Sequence, residues 1–156
     1  NKIMREILII DGLNLFVRSF MINETTNVSG TLVGGTIGFL KSLNFLVKKY
    51  KPYKVFVVWE QGGACPRRKN IFADYKANRL KNKELGKAIK HGEKETNPFS
   101  DQKNRIYQLL LLNKLLGFLP VCQIYVPETE CDDIIGYLVK YKLKDEVFIV
   151  FIELEC

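Results

Sequence analysis

The stretch Ile7-Leu8-Ile9-Ile10 is apolar without interruption and stops at Asp11-Gly12. A strand with one wet face alternates apolar and polar residues, whereas an unbroken run belongs to a strand covered on both sides, as in a parallel sheet between helices. Val55-Phe56-Val57-Val58-Trp59 repeats the pattern and also ends in an acid, Glu60. In parallel sheets, ligands gather at the carboxyl ends of strands. Asp11 and Glu60 therefore stand where chemistry is expected.

The rest of the chain supplies the helices such a sheet needs. Gly12 to Ser19 reads as a loop entering a short helix, and residues 23–35, rich in Asn, Thr, Ser and Gly, read as a connection. From Thr36 to Tyr50, the apolar positions Ile37, Leu40, Leu43, Phe45, Leu46, Val47 and Tyr50 follow helical spacing up to Pro52. A second helix, capped by Ser100 or Asp101, runs through Ile106, Leu109, Leu110, Leu112, Leu115 and Leu116 and stops at Gly117. Val121–Val126 reads as a third strand. Glu130–Tyr141 then reads as a helix with Ile134, Ile135, Leu138 and Val139 inward, and Val147–Ile152 as a fourth strand. The order β-α-β-(insert)-α-β-α-β implies a parallel, helix-covered sheet with right-handed crossovers. With 156 residues and 47% hydrophobic content, one core and one domain suffice.

The run Pro127-Glu128-Thr129-Glu130-Cys131-Asp132-Asp133 places four carboxylates in six positions just before an apolar helix. Thr129 as an N-cap with Asp132 as an imperfect capping box accounts for part of this. The remaining repulsion exceeds what a helix dipole offsets, about 0.3–1 kcal/mol per charge. Hard oxygen ligands on one short segment suit Mg²⁺ or Mn²⁺. Together, Asp11, Glu60, Glu130, Asp132 and Asp133 form a set able to hold two divalent ions roughly 3.5–4 Å apart, as phosphodiester cleavage requires.

Charge is unevenly spread. Ala64 to Arg105 holds 12 Lys plus Arg against 5 Asp plus Glu, the same surplus as the whole chain with 24 against 17. A basic block within a balanced fold points to a polyanion, first of all nucleic acid. Lys81, Lys83, Lys87, Lys90 and Lys94 read as a diffuse field, and the weak periodicity of 81–98 as a mobile or loosely helical excursion. The single histidine, His91, leaves little for a Ser-His-Asp relay. Cys65, Cys122, Cys131 and Cys156 contain no CxxC pair, which argues against a zinc knuckle or a disulfide framework. With no membrane-spanning apolar run and no signal-peptide plan at Asn1–Arg5, a cytoplasmic protein that binds no membrane is expected.

The residues Ile9-Ile10-Asp11-Gly12, Gly38-Phe39-Leu40-Lys41-Ser42-Leu43, Val57-Val58-Trp59-Glu60, Arg67-Arg68 with Phe72–Arg79, and Glu130-Cys131-Asp132-Asp133-Ile134 occur in one order across about residues 6–150. In this the chain resembles the 5′-nucleases, a family that includes bacterial and bacteriophage 5′→3′ exonucleases, flap endonucleases and phage ribonuclease H. The resemblance implies an α/β, PIN-like parallel sheet flanked by helices, with a basic helical arch over the site at about 64–100. It implies Mg²⁺ or Mn²⁺, as two ions, on Asp11, Glu60, Glu130, Asp132 and Asp133. It also assigns Arg68 and Lys76 to the substrate phosphate as catalytic cations, with Arg67 and Arg79 as further nucleic-acid contacts and Tyr75 against the terminal base. The implied partners are DNA with a 5′ end or flap, or an RNA–DNA hybrid, in replication or repair, with a phage genome (and so a bacterial host cytoplasm) as the favoured source.

Two departures stand out. Glu60 occupies a position where the family has Asp, which keeps the charge and lengthens the reach by one methylene. After Phe148-Ile149-Val150 the family continues with an Asp-x-Asp pair and a duplex-gripping helical module, whereas this chain reads Phe151-Ile152-Glu153-Leu154-Glu155-Cys156. Either Glu153 and Glu155 replace the aspartate pair, or the ending is unrelated sequence left by truncation or frameshift; the second is favoured, and the duplex-binding module is then expected to be absent. The first expectation is a metal-dependent 5′-nuclease, and the alternative is a catalytically impaired nucleic-acid-binding module of the same fold. A haloacid-dehalogenase-type phosphatase needs an aspartate where Leu13 stands, and Gly34-Gly35-Thr36-Ile37-Gly38 is not a dinucleotide fingerprint.

Overall fold

The computed structural model describes residues 6–60, 98–143 and 147–151. Four strands, β1 (Glu6–Asp11), β2 (Lys54–Trp59), β3 (Cys122–Tyr125) and β4 (Val147–Phe151), form one sheet in the order β3-β2-β1-β4. Every pairing is parallel, with Ile9 opposite both Phe56 and Val150, and Val58 opposite Ile124. Helices α1 (Gly12–Ile22), α2 (Gly34–Tyr50), α3 (Pro98–Leu116) and α4 (Cys131–Tyr137) connect them, and α4 runs on as a π-helical turn over Leu138–Lys142.

Period-two alternation divides the strands between two cores. Leu8, Ile10, Val55, Val57 and Trp59 face α1, α2 and α3, where they meet Leu15, Phe16, Phe39, Leu43, Leu46, Leu112 and Leu116. Ile7, Ile9 and Val58 face the other way, onto Cys131, Ile134 and Ile135 of α4, with Phe56, Ile124, Leu138 and Val139 at the margin. The unbroken apolar run at 7–10 thus serves two layers at once.

Several boundaries depart from the sequence reading. Helix α1 begins at Gly12 with no intervening loop, because the Asp11 carboxylate accepts the Asn14 N–H at 3.0 Å and caps it directly. α2 starts at Gly34, two residues inside the expected connection, and α3 at Pro98, ahead of the expected cap. α4 begins after Glu130, and its expected last turns adopt π geometry. Phe45 on α2 and Ile106 and Leu110 on α3 are exposed, although their spacing placed them inside. On α3 the buried face instead includes a polar residue, Gln108. Its Oε1 accepts the Thr36 N–H at 3.1 Å, and the Thr36 hydroxyl donates to the Gln108 carbonyl at 2.9 Å. The Gln108 amide continues to Asn104 at 2.8 Å, and Asn104 donates to the Leu32 carbonyl at 3.0 Å. Satisfied in this way, the polar seam locks the start of α2 to α3.

Gly12 sets the approach of α1 to β2. A Cβ there would lie 2.8 Å from both Trp59 Cε3 and Val57 Cγ1. Gly12→Ala is expected to destabilise the fold by about 1–3 kcal/mol through overpacking, read as a lower urea midpoint at unchanged slope.

Candidate active site

Asp11 closes β1 and Glu60 follows β2, and continued alternation turns both toward the α4 layer, beyond Ile9 and Val58. The chain returns to this edge after β3. A turn at Pro127-Glu128, with Glu128 at φ 55°, leads into α4. Thr129 is not the helix cap: its hydroxyl donates back to the Pro127 carbonyl at 3.1 Å, and Glu130 occupies the cap position without a side-chain capping bond. The start of α4 is held instead from the sheet, by the Cys131 N–H donating to Glu60 Oε2 at 2.9 Å. The extra methylene of glutamate thus reaches across to satisfy a helix-terminal donor.

This contact draws Asp11, Glu60 and Asp132 into one electrostatic neighbourhood. Burial pushes the Asp11 carboxyl above its ordinary range, the capping bond from Asn14 opposes that, and the charges of Glu60 and Asp132 raise it further. The Cys131 thiol lies among the same groups. It is within 3.7 Å of the Val58 carbonyl and also bonds the Asp11 carboxylate. Burial first, then the charges of Asp11, Glu60 and Asp132, raise its pKa so far that it stays a neutral thiol. Sequence reading set Cys131 aside with the other cysteines; its place inside Glu130-Cys131-Asp132 was the available signal.

The expected ligand set is therefore brought together in part. Asp11, Glu60 and Asp132 converge; Glu130 is buried at the cap and Asp133 is exposed in the first turn of α4. Among the described residues no three His, Cys, Asp or Glu side chains form a ready-made metal cage. The donor chemistry nevertheless fits a hard divalent cation: Asp11, raised first by burial and then by the charges of Glu60 and Asp132, belongs to an oxygen-rich edge whose repulsion such a cation would relieve. Arg67, Arg68, Tyr75, Lys76, Arg79, Glu153 and Glu155 lie outside the described residues, as does the 64–97 part of the expected arch.

Comparison with known proteins bears on this edge. The family model of the 5′-3′ exonuclease N-terminal resolvase-like domain matches residues 6–152. The chain belongs to this family. It is 32% identical over 136 residues to a 5′-3′ exonuclease of Aquifex aeolicus, covering 86% of this chain and 40% of that protein. A 5′-3′ exonuclease of Bacillus subtilis is 37% identical over 79 residues, 47% of this chain and 26% of the relative. The chain thus spans well under half the length of the relatives it matches. Among solved structures, the T5 5′-exonuclease with bound zinc superposes with a TM-score of 0.61 at 20% identity, over 87% of this chain and 44% of that one. A bacteriophage T5 flap endonuclease in a complex with DNA and metal ions gives 0.60 at 19%, over 90% and 45%. These likenesses establish the PIN-like α/β fold, as expected. Among the described residues, no helix is long and apolar enough to cross a membrane.

The raised Asp11 pKa has a signed consequence. The folded protein holds that proton more tightly than the unfolded chain, so ionisation costs stability as pH rises from about 4. Asp11→Asn keeps a capping acceptor and removes the charge. In metal-free buffer it is expected to raise Tm at pH 7 and to lose that advantage near pH 3, as thermal melts at the two pH values would show.

Proposed function

We propose that this chain is the catalytic N-terminal part of a divalent-metal-dependent 5′-nuclease that hydrolyses phosphodiesters at the 5′ end or flap of DNA. The observation that carries the reading is the convergence of Asp11, Glu60 and Asp132 at the carboxyl edge of a parallel sheet, in a chain of the 5′-3′ exonuclease family. Relatives named as 5′-3′ exonucleases, and a fold neighbour in complex with DNA and metal ions, support it. They favour a nuclease over an impaired binding module. RNA–DNA hybrids are the second substrate class, and replication or repair is the setting proposed.

In this reading Asp11, Glu60 and Asp132 form the floor of the site, with Glu130 and Asp133 completing the set and Glu153 and Glu155 as further candidates. Bound there, two Mg²⁺ or Mn²⁺ ions would polarise the attacking water and neutralise charge on the leaving oxygen. Arg68 and Lys76, within an arch at about 64–100, hold the scissile phosphate and offset charge developing on its oxygens. Arg67 and Arg79 grip the neighbouring backbone, and Tyr75 packs on the terminal base without reading its identity. Water adds to phosphorus as the bond to the 3′ oxygen breaks, leaving a 5′ phosphate and a 3′ hydroxyl. Glu60 has two duties, holding the start of α4 through one oxygen while adding its charge to the floor.

Magnesium-dependent cleavage of a 5′-flap DNA is the test. Asp132→Asn is expected to lower the rate on the order of a hundredfold or more, and chelation with EDTA to abolish it until Mg²⁺ is restored. Cleavage that persists in EDTA, or an Asp132→Asn protein cutting at the wild-type rate, would overturn the proposal. Salt-sensitive binding of the flap with no cleavage by the wild type would assign the binding module instead.

A further inference from the structure

The opposite end of the sheet carries a second charged feature. No acidic residue lies between Glu24 and Glu60, and Lys48, Lys49, Lys51 and Lys54 are interleaved there with Tyr50 and Tyr53. These lysines occupy the last turn of α2, its C-cap and the first residue of β2, and all four are exposed. The turn is well anchored. The Lys51 N–H donates to the Val47 carbonyl at 2.8 Å, and the Tyr53 N–H to the carbonyl of Glu6, the nearby acid at the start of β1, at 2.7 Å. Aromatic faces hold two of the ammonium groups: Lys49 Nζ lies 5.8 Å from the Phe45 ring centre and 5.1 Å from that of Tyr50, and Lys54 Nζ 5.4 Å from that of Tyr53. Such contacts orient the charges while leaving them in water, which lowers the entropy lost when they meet a ligand.

A second observation is independent of the charge count. Lys51 caps α2 with φ 47° and ψ 50°, the left-handed conformation that glycine ordinarily supplies at a helix end. A lysine there strains the backbone and adds an exposed charge, which points to a use for the charge.

We propose that Lys48, Lys49, Lys51 and Lys54 form a ridge that binds the phosphodiester backbone of nucleic acid away from the acidic edge. Ammonium groups act as point charges that neutralise phosphates without reading sequence. The length of β2 sets Lys54 about 20 Å from Glu60, at the other end of the sheet. The ridge therefore engages a part of a polynucleotide remote from the scissile bond. The inference rests on the nucleic-acid part of the proposed function, but its test is separate from cleavage.

Binding of a random-sequence DNA duplex, followed by fluorescence anisotropy in EDTA across a range of salt, reads it directly. Replacing all four lysines by alanine is expected to flatten the dependence of log affinity on log salt by about 3.6, and to weaken binding alike for duplexes of different sequence. Lys51→Gly is expected to flatten the slope by about one while raising Tm by about 2–4 °C as the strain is relieved. This variant loses binding while gaining stability, so misfolding cannot explain its effect. A four-alanine slope equal to that of the wild type overturns the ridge, even in a protein that cleaves flap DNA normally. So does a loss of binding confined to an acidic polypeptide such as polyglutamate, which would assign the surface to a protein partner. A Lys51→Gly protein that melts lower than the wild type overturns the claim that Lys51 is retained for its charge.

Discussion

The bond from the Cys131 N–H to Glu60 joins strand β2 to the start of α4, and the geometry of the acidic edge depends on it. A helix begins with N–H groups that have no partner within the helix. Here a carboxylate from the sheet satisfies one of them, bringing Asp132 of the first turn near Asp11 and Glu60. The apolar packing of Ile134 and Ile135 on Ile7, Ile9 and Val58 aligns the rest of α4. Packing places the helix on the correct face, and the polar contact settles how far along the sheet it sits. The acidic edge is thus costly in isolation, since its members repel, and it persists because Ile7, Ile9, Val58, Ile134 and Ile135 pack beneath it.

Much of this was legible in the amino-acid order. Unbroken apolar runs ending in acids at β1 and β2 specify strands buried on both faces, and four strand segments separated by helical ones leave few arrangements besides a parallel sheet. Asp11, Glu60 and Asp132 followed from strand ends and from a crowded helix start. What escaped reading was governed by tertiary partners. Gln108 looks like a surface residue on an otherwise leucine-rich helix, and its burial is offset by bonds to Thr36, distant in sequence, and to Asn104 one turn back. Phe45, Ile106 and Leu110 match helical spacing yet lie outside, because periodicity shows which residues share a face and not how wide the covered stripe is. The start of α1 was misplaced because Asp11 was read for chemistry alone, although it also caps the helix that follows.

Asp11 and Glu60 thus each serve structure and the candidate chemistry together, one through Asn14 and the other through Cys131. Double use of this kind makes the site rigid at the points where charge is concentrated. It also complicates any substitution there, since removing a carboxylate changes a helix terminus as well as an electrostatic field. Amide replacements keep an acceptor oxygen and so separate the two roles more cleanly than truncation to alanine.

The seam of Thr36, Gln108, Asn104 and Leu32 bears on how this scaffold accommodates variation. It ties α2, which precedes β2, to α3, which follows the long segment after Glu60, so both flanks of that segment belong to the same packed layer. All four seam residues lie outside that span, so the joint between the two helices asks nothing of the side chains between residues 61 and 97.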